Sequence, residues 1–437
     1  MISSLFRSAA LAALIPASGL AQTAPATPAP APAATEAPAA TASPAYDFAA
    51  AKRDALTYGP RPFYLIDRLP AGALKDKLAA CRGQEPKVSS FSIGHRGAPM
   101  MFPEHTVESN LAAAAMGAGV LECDVTFTKD KTLVCRHAQN DLHTTTNILA
   151  TPLAAKCVTP FAPAAEGTDA KAECRTAELT LDEFRSLSPK MDSADKTATT
   201  VEAYMKGNPG WRTDLYSDGA HLMTHAESIQ LFKALGAKFT PELKEAIVEM
   251  PFDGWTNEDY AQAIVDEYKA AGIPPADVHL QTFEMVHMDH WLKAEPEFAK
   301  TAVYLVDPDR VDGFDPEKPE SWGEYAPQPL ADKGIRTLAP PLFALVAPGE
   351  GHDMVPSAYA KAIKAAGMDI ITWSLERSGP IGRGNGGWYY GSVKSVATDD
   401  GAIYEMVDTL AQEVGVKGIF SDWPATVTYY ANCMGIE

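Results

Sequence analysis

Short apolar runs, which predict buried strands, alternate along most of the chain with longer stretches that have the apolar spacing of amphipathic helices. The predicted helices are residues 106–116, 225–235, 256–271, 356–366 and 401–414. The predicted strands are residues 91–93, 120–125, 132–135, 238–241, 278–282, 301–306, 369–373 and 417–420.

Alternating strands and helices are typical of parallel βαβ units, and roughly eight strands favour a closed ring over an open sheet. No G-x-G-x-x-G turn follows the first strand, so a dinucleotide-binding sheet is not indicated. The sequence predicts an α/β fold, a TIM-type (β/α)8 barrel.

Two irregularities interrupt this alternation. Residues 128–131 form a tight turn with no room for a helix, so the strands on either side must be neighbours, whichever way the second one runs. Beyond that second strand, the next one begins only near Phe239, which is far more chain than one helical crossover needs. We therefore predict an inserted subdomain after the third strand, at about residues 140–222, over the barrel mouth.

The N-terminal segment has a different character. Residues 1–22 contain Arg7, an apolar run too short to span a bilayer, and small residues that fit a signal-peptidase site near Ala21. Residues 23–46 are mostly Ala, Pro and Thr, a composition typical of an extended linker. We predict a cleaved signal peptide, a linker and a barrel domain at 47–437, with export to a bacterial periplasm or secretion and no stable membrane insertion.

The charge of the chain restricts its partners. The formal net charge is −19, from 37 basic and 56 acidic residues, which argues against a general nucleic-acid surface. A small anionic substrate must then be attracted by local positive groups or by a metal ion.

Six cysteines in an exported chain permit disulfides, although spacing alone cannot fix the pairing. Cys157 and Cys174 bracket a polar segment and are the preferred pair; Cys81 and Cys433, near the ends of the folded region, come second. Cys123 and Cys135 lie within predicted strands, and we interpret both as buried thiols.

Three carboxylates stand at the ends of predicted strands. Glu122 and Asp124 are two residues apart and share one strand face, where they repel each other unless a cation lies between them or solvent screens them. Glu242 follows another apolar strand and completes a candidate three-carboxylate site, the alternative being an ordinary strand-to-helix turn. Oxygen-only ligands suit Ca²⁺ or Mg²⁺ better than Zn²⁺.

Two histidines and two basic residues accompany these carboxylates. His95 and Arg96 follow the first strand; histidine transfers protons near neutral pH, and arginine binds phosphate through two donors. A lone histidine at a strand end is usually structural, but His137 lies beside the carboxylate strand, so one histidine can act as base and the other as acid. Lys244 shares a face with Glu242 and offers phosphate a positive charge.

Gln281 and Trp373 lie at the ends of later strands. Residues in such positions more often belong to the core than to a ligand site. We assign Gln281 and Trp373 to substrate packing on the basis of their position alone.

With these residues the chain resembles the glycerophosphodiester phosphodiesterase family, whose barrel is similar to that of phosphoinositide-specific enzymes. Seven boxes match in order over most of residues 90–430, the long insertion excepted. They are His95-Arg96-Gly97, Pro103-Glu104-His105-Thr106, Glu122 with Asp124, His137, Pro241 to Lys244, Trp373, and Gly418 to Pro424 with Asp422.

The resemblance implies hydrolysis of glycerophosphodiesters to sn-glycerol 3-phosphate and an alcohol, with one divalent cation, Ca²⁺ before Mg²⁺. By motif position, His95 and His137 are similar to the family's acid/base pair, and Glu122, Asp124 and Glu242 to its metal ligands. The attacking group, water or the neighbouring glycerol hydroxyl, stays open.

The chain departs from the family pattern in two places. His105 stands where the family has asparagine, and Ala138 stands where an aspartate commonly follows the second histidine. Both changes, and the long insertion, bear on substrate choice.

Two alternative functions are compatible with parts of the same pattern. One is a phospholipase-D-like or phosphoinositide-type enzyme that acts on lipid or lysolipid. The other, which the full set of histidines and carboxylates disfavours, is an exported binding protein without activity.

Overall fold

Eight parallel strands close into a ring in the computed structural model, which describes residues 46–350, 353–384 and 386–437. The predicted signal peptide, 1–22, and all but the last residue of the predicted linker, 23–46, lie outside the described residues. Around the ring the strands follow chain order, and β1 (Ser89–Gly94) pairs with both β2 (Ala118–Phe127) and β13 (Gly418–Ser421). The remaining strands are β3 (Leu133–Cys135), β4 (Thr159–Ala162), β5 (Lys171–Glu173), β6 (Lys238–Leu243), β7 (Gln281–Thr282), β8 (Val303–Leu305), β9 (Thr337–Ala339), β10 (Val346–Pro348), β11 (Met354–Pro356) and β12 (Asp369–Leu375). The predicted TIM-type barrel is confirmed.

Two strands differ from the prediction. The run 132–135 forms β3, which pairs antiparallel with the end of β2 and lies outside the ring. The turn before it is closed by hydrogen bonds between Thr128 and Thr132, so the chain folds straight back instead of crossing over. The missing barrel strand is β9, whose three residues precede Pro340 and Pro341 and make too short an apolar run to be predicted.

Helices surround the ring, and the predicted ones lie close to their expected positions. Thr106 caps α3 (Val107–Ala115) and Ser357 caps α13 (Ala358–Ala365). Thr224 and Thr256 form capping boxes at the starts of α7 (His225–Ala234) and α8 (Asn257–Ala270). Among the described residues, none of the helices is both long enough and apolar enough to cross a bilayer. The α-helices are α1 (Arg61–Arg68), α2 (Ala73–Ala80), α3 (Val107–Ala115), α4 (Leu142–Thr145), α5 (Leu181–Arg185), α6 (Val201–Met205), α7 (His225–Ala234), α8 (Asn257–Ala270), α9 (Met285–Ala294), α10 (Pro296–Ala299), α11 (Pro327–Lys333), α12 (Leu342–Leu345), α13 (Ala358–Ala365), α14 (Ile381–Gly384), α15 (Ala402–Asp408) and α16 (Ala425–Met434).

The two faces of the ring have separate cores. Leu121, Cys123 and Val125 of β2 belong to the large outer cluster between strands and helices. Val120 of the same strand points inward, into a small cluster completed by Ile93, Val303, Leu305, Ala339, Ile371 and Phe420. Since side chains alternate along a strand, Glu122 and Asp124 share the inward face with Val120. The side chains of Glu122 and Asp124 therefore face the interior of the barrel.

Between β3 and β6 the chain forms a segment with its own small core. It contains the two-stranded sheet of β4 and β5 and helices α4, α5 and α6. Its buried cluster includes Leu142, Ile148, Phe184 and Tyr204. The predicted bounds of the insertion, 140–222, fall within this segment.

All six cysteines are paired. Cys157–Cys174 and Cys81–Cys433 form the two disulfides that we preferred from the sequence. The interpretation of Cys123 and Cys135 as buried thiols is wrong, because they form a third disulfide with Cα atoms 5.2 Å apart. The antiparallel register pairs Val125 with Cys135 and so places both sulfur atoms on the outer side of the sheet, away from the carboxylates.

Candidate active site

The carboxyl ends of the barrel strands open into one cavity of about 830 Å³. This is the end at which TIM-barrel enzymes carry their active sites. Of the site residues predicted from the sequence, all except Asp124 line the cavity. A carboxylate oxygen of Asp124 nevertheless lies within 4.8 Å of oxygens of both Glu122 and Glu242. The structure therefore brings the predicted set together.

The three carboxylates form a buried cluster. Asp124 and Glu242 are directly paired across β2 and β6, and Glu122 lies two residues earlier on the same face. Burial and the negative charges of Asp124 and Glu242 raise the pKa of Glu122 well above its usual range. Burial also raises the pKa of Glu242 to about 7, against the opposing charge of Lys244. Full ionisation of the cluster would thus place more negative charge there than its surroundings neutralise.

Asp124 has a partner that the sequence did not reveal. His105 is completely buried, and its Nε2 lies 2.8 Å from Asp124 Oδ2. An ionised carboxylate can only accept, so this nitrogen carries the proton and donates it. Burial alone would raise the pKa of Asp124, but His105 and Lys244 hold it below its usual range. The histidine thus supplies an N–H donor where the family has the amide of asparagine.

His95 is held by groups from two other strands. Its Nδ1 lies 2.5 Å from Asp422 Oδ1, at the end of β13, and 2.8 Å from the hydroxyl oxygen of Ser374 on β12. A proton on Nδ1 that is donated to Asp422 leaves Nε2 with a free lone pair. Burial lowers the pKa of His95 to about 4, although Asp422 opposes the shift. The ring is therefore neutral at pH 7 and able to accept a proton.

His137 lies two residues after the end of β3 and lines the same cavity. Nitrogen or oxygen atoms of His137, Glu104 and Asp141 lie within 4.8 Å of one another. Burial and the positive charges of Arg96 and Lys244 hold the pKa of His137 well below its usual range. Both candidate catalytic histidines are therefore neutral at pH 7 in the protein described here.

The two predicted phosphate ligands are already paired with carboxylates. Arg96 donates from its backbone N–H to Glu122 Oε2 at 2.7 Å and from Nη1 to Glu104 Oε2 at 2.8 Å. Lys244 Nζ lies 2.5 Å from Glu242 Oε1. Both cations therefore neutralise buried acids at the rim of the carboxylate cluster.

Gln281 and Trp373 take different places in the site. Gln281 is fully buried and donates to the Thr240 carbonyl at 3.2 Å and to Glu122 Oε1 at 3.4 Å. Trp373 donates its indole N–H to the carbonyl of Ala339 at 2.8 Å, so only its ring remains for packing. That ring is edge-on to Phe283, with the centroids 5.9 Å apart.

Sequence reasoning missed several charged groups of the site. Glu104 belonged to a matching box, but its ion pair with Arg96 could not be read from spacing. Arg377 follows β12, lines the cavity and pairs with Asp422. Its only signal in the sequence was its position four residues beyond the predicted strand 369–373.

The segment between β3 and β6 supplies one wall of the cavity. It contributes polar and charged side chains rather than a purely apolar cover. The lining residues from this segment are His137, Asp141, His143, Thr144, Thr145, Asp169, Ala170, Lys171, Ala172, Asp192, Ser193, Ala194, Lys196 and Tyr204.

Fold and site together define the class: a (β/α)8-barrel protein whose centre, at the carboxyl ends of the strands, combines two histidines with a three-carboxylate cluster. Comparison with known proteins gives the family. The model of the glycerophosphoryl diester phosphodiesterase family matches residues 95–426. The chain belongs to this family, and family membership supports a phosphodiesterase, in agreement with the resemblance seen in the sequence.

The chain is also similar to individual proteins. A protein of Arthroderma benhamiae named "Extracellular protein" is 45% identical over 252 residues, which are 56% of this chain and 100% of the relative. A crystal structure from Silicibacter pomeroyi, of a protein given the same family description, has a TM-score of 0.53 at 20% identity. That match covers 83% of this chain and 98% of the other, and at this identity it supports the fold alone.

Proposed function

We propose that the protein hydrolyses glycerophosphodiesters to sn-glycerol 3-phosphate and an alcohol, with the help of one divalent cation. The observation that carries the proposal is one cavity lined by His95, His137, Glu122 and Glu242, with Asp124 completing the three-carboxylate cluster beside it. The surrounding chain belongs to a family of phosphodiesterases. The particular substrate, the cation and the roles of the residues are our inference.

The carboxylate cluster fits a divalent cation. Glu122, Asp124 and Glu242 offer only oxygen, as Ca²⁺ and Mg²⁺ prefer, and Asp124 Oδ1 is buried without a hydrogen-bond partner. Burial and repulsion by neighbouring carboxylates raise the pKa values of Glu122 and Glu242, and a cation would relieve that repulsion. We expect Ca²⁺ before Mg²⁺. When bound, the ion supplies positive charge to the phosphoryl oxygens.

His95 is suited to accept the first proton. Asp422 fixes its tautomer, as carboxylates do for catalytic histidines, and its lowered pKa keeps Nε2 unprotonated at pH 7. The proton comes from the attacking hydroxyl, either of water or of the neighbouring glycerol carbon. His95 removes it as the new oxygen–phosphorus bond forms.

His137 is suited to protonate the leaving alcohol oxygen. It is neutral in the free protein, but the negative charge of a bound phosphodiester raises the pKa of an imidazole that faces it. Glu104 and Asp141 lie near enough to support the protonated form. The ring can then give its proton to the oxygen as the phosphorus–oxygen bond breaks.

Arg96 and Lys244 are suited to position the phosphate. Both side chains are cationic, since the pKa of each is raised by neighbouring acids against the effect of burial. Lys244 now contacts Glu242, a proposed ligand of the cation. A cation held by Glu242 would neutralise that carboxylate and would leave the ammonium group of Lys244 available to a phosphoryl oxygen.

A substrate panel tests the proposal. Purified protein is assayed with glycerophosphocholine, glycerophosphoethanolamine, glycerophosphoinositol and lysophospholipids, first after EDTA treatment and then with Ca²⁺ or Mg²⁺ restored. We expect release of sn-glycerol 3-phosphate from the water-soluble diesters only after a cation is restored. Absence of hydrolysis under every condition would refute the proposed function.

One observation favours the lysolipid alternative. In the segment between β3 and β6, Leu215 is 73% exposed and Tyr216 is 47% exposed, with the Tyr216 ring stacked on Phe102 at 4.8 Å. Exposed apolar side chains of this size can contact lipid tails. Turnover of lysophospholipids at rates above those of the soluble diesters would make this second function the correct one.

We also propose that the chain is exported and processed near Ala21. The N-terminal pattern supports this, as does the name "Extracellular protein" carried by the Arthroderma benhamiae relative. Expression of the full chain in a bacterial host, followed by mass spectrometry of the periplasmic and cytoplasmic fractions, tests it. We expect a mature chain that begins close to residue 22 outside the cytoplasm; an intact Met1 on all of the protein would contradict export.

A further inference from the structure

Arg377 lies where three parts of the chain meet. Its Nη1 is 3.0 Å from Asp422 Oδ2, at the end of β13, and its Nη2 is 3.1 Å from Asp192 Oδ2. The same Nη2 lies 3.5 Å from Glu104 Oε2 in the loop after β1. The side chain is only 18% exposed and lines the cavity. One guanidinium therefore contacts three carboxylates that belong to different segments.

Two of these carboxylates contact residues that take part in the proposed reaction. Asp422 is the partner of His95 at 2.5 Å, and Glu104 is the partner of Arg96 at 2.8 Å. Removal of the guanidinium would leave both acids in a buried site with less positive charge. A buried charge without its partner is expensive, so the two acids and the side chains bound to them would shift.

The third carboxylate belongs to the segment between β3 and β6. Asp192 follows α5 and is itself held by Arg212, whose Nη1 lies 2.6 Å from Asp192 Oδ1. Arg377 is thus the link through which this segment contacts the partner of His95. Both terminal nitrogens of Arg377 contact these acids.

We infer that Arg377 is a positioning residue that ties Asp192 of the inserted segment to both His95 and Arg96, so that the insertion helps to set the geometry of catalysis. This inference rests on the proposed function. It predicts that Asp192, which contacts neither histidine in the hydrogen-bond and ion-pair network described here, influences turnover through Arg377.

The test compares Arg377→Gln, Arg377→Lys and Asp192→Asn in the full, cation-loaded protein. The matched control is Arg310→Gln, since Arg310 also faces three carboxylates, Glu284, Asp307 and Glu245, but does not line the cavity. We expect kcat to fall about 100-fold in Arg377→Gln and about 10-fold in Asp192→Asn, with KM changed less than about 3-fold, because small displacements of catalytic groups have effects of this size. Arg377→Lys should recover about 10-fold of the loss, and the control should retain its activity.

A second readout needs no turnover. The charged groups that face His95 are Asp422 from β13, Arg377 from the end of β12 and Arg96 after β1, and the charge of Arg377 lowers the pKa of His95. The pKa of His95, followed by NMR of histidine-labelled protein and assigned with His95→Gln, should therefore rise in Arg377→Gln and stay unchanged in Arg310→Gln.

The outcomes separate this inference from the proposed function. A wild type without phosphodiesterase activity contradicts the function, and the His95 titration then still decides the inference. An active wild type with normal kcat in both Arg377→Gln and Asp192→Asn overturns the inference alone. A rise in KM at normal kcat also overturns it, because Arg377 would then bind substrate. If Arg377→Gln does not fold, Asp192→Asn decides.

Discussion

The disulfide Cys123–Cys135 joins the two strands that carry the chemistry. Cys123 stands between Glu122 and Asp124, and Cys135 lies two residues before His137. Replacing both cysteines with alanine removes the covalent link but leaves the β2–β3 hydrogen bonds, including Arg136 N–H to the Asp124 carbonyl at 2.8 Å. We expect this change to alter stability and catalysis together.

The loop lengths give the expected size of the stability effect. The bond closes a loop with a sequence separation of 12, for which loop-closure entropy gives a loss of about 3 kcal/mol in the free energy of unfolding. Cys157–Cys174, with a separation of 17, gives about the same loss and lies in the inserted segment. The corresponding double alanine variant is therefore a control matched in stability.

Only the first pair is predicted to change the active site. Without Cys123–Cys135, β3 can shift against β2, and displacement by about 1 Å can cost about 100-fold in rate. Because the β2–β3 hydrogen bonds remain, we expect a kcat loss of about 10-fold and weaker Ca²⁺ binding, with neither change in the control.

Urea unfolding, steady-state kinetics and Ca²⁺ titration by calorimetry measure these quantities for both double variants. The reasoning is refuted if the two variants lose similar stability but share the same kcat and Ca²⁺ affinity. It is also refuted if the Cys157/Cys174 control loses more activity than the Cys123/Cys135 variant.

Three further predictions concern single side chains. His95→Ala and His137→Ala should each lower kcat by about 10²- to 10⁴-fold with unchanged circular dichroism, and near-normal rates in either variant would remove that residue from the acid/base pair. Glu242→Gln should weaken Ca²⁺ binding at least about 10-fold by calorimetry, whereas unchanged affinity would exclude Glu242 as a ligand. Burial raises the pKa of Asp141 to about 6. The folded state therefore holds the proton of this carboxyl group more tightly than the unfolded state does, and the free energy of unfolding falls as the pH rises from about 4 to 6. Asp141→Asn should lack that loss, which amounts to about 2 to 3 kcal/mol in urea unfolding; parallel pH curves for variant and wild type would contradict the shift.

The fold was predictable because the longer strands carry strong apolar runs. The β2 strand is ten buried residues long, and its inward and outward faces follow directly from alternation. The β9 strand is only three residues long, and its place in the ring depends on pairing with β8 and β12 rather than on its own pattern. Spacing also could not show that β3 folds back outside the ring, since an apolar run has no direction.

The site was predictable where neighbours in sequence share a strand face. Glu122 with Asp124, and Glu242 with Lys244, needed only the two-residue repeat. The contact between His95 and Asp422 joins residues 327 positions apart, and only closure of the ring between β1 and β13 brings them together. The Cys123–Cys135 bond was missed for a related reason, because it depends on the antiparallel register of β3.

The charges around the cavity account for how an acidic protein can accept an anionic substrate. Five buried carboxylates, Glu104, Glu122, Asp124, Glu242 and Asp422, face three cationic side chains, Arg96, Lys244 and Arg377. The histidines His95, His105 and His137 add no charge at pH 7, since burial lowers the pKa of each. The acids outnumber the cations, and burial raises the pKa values of Glu122 and Glu242, so both groups hold protons more tightly than free carboxyls; a divalent cation at the carboxylate cluster would take the place of those protons. With the ion in place the acids no longer hold the centre negative, and Arg96 and Lys244 can present their charge to phosphate. On this argument the cation is required for substrate binding as well as for chemistry, so its removal should raise KM in addition to lowering kcat.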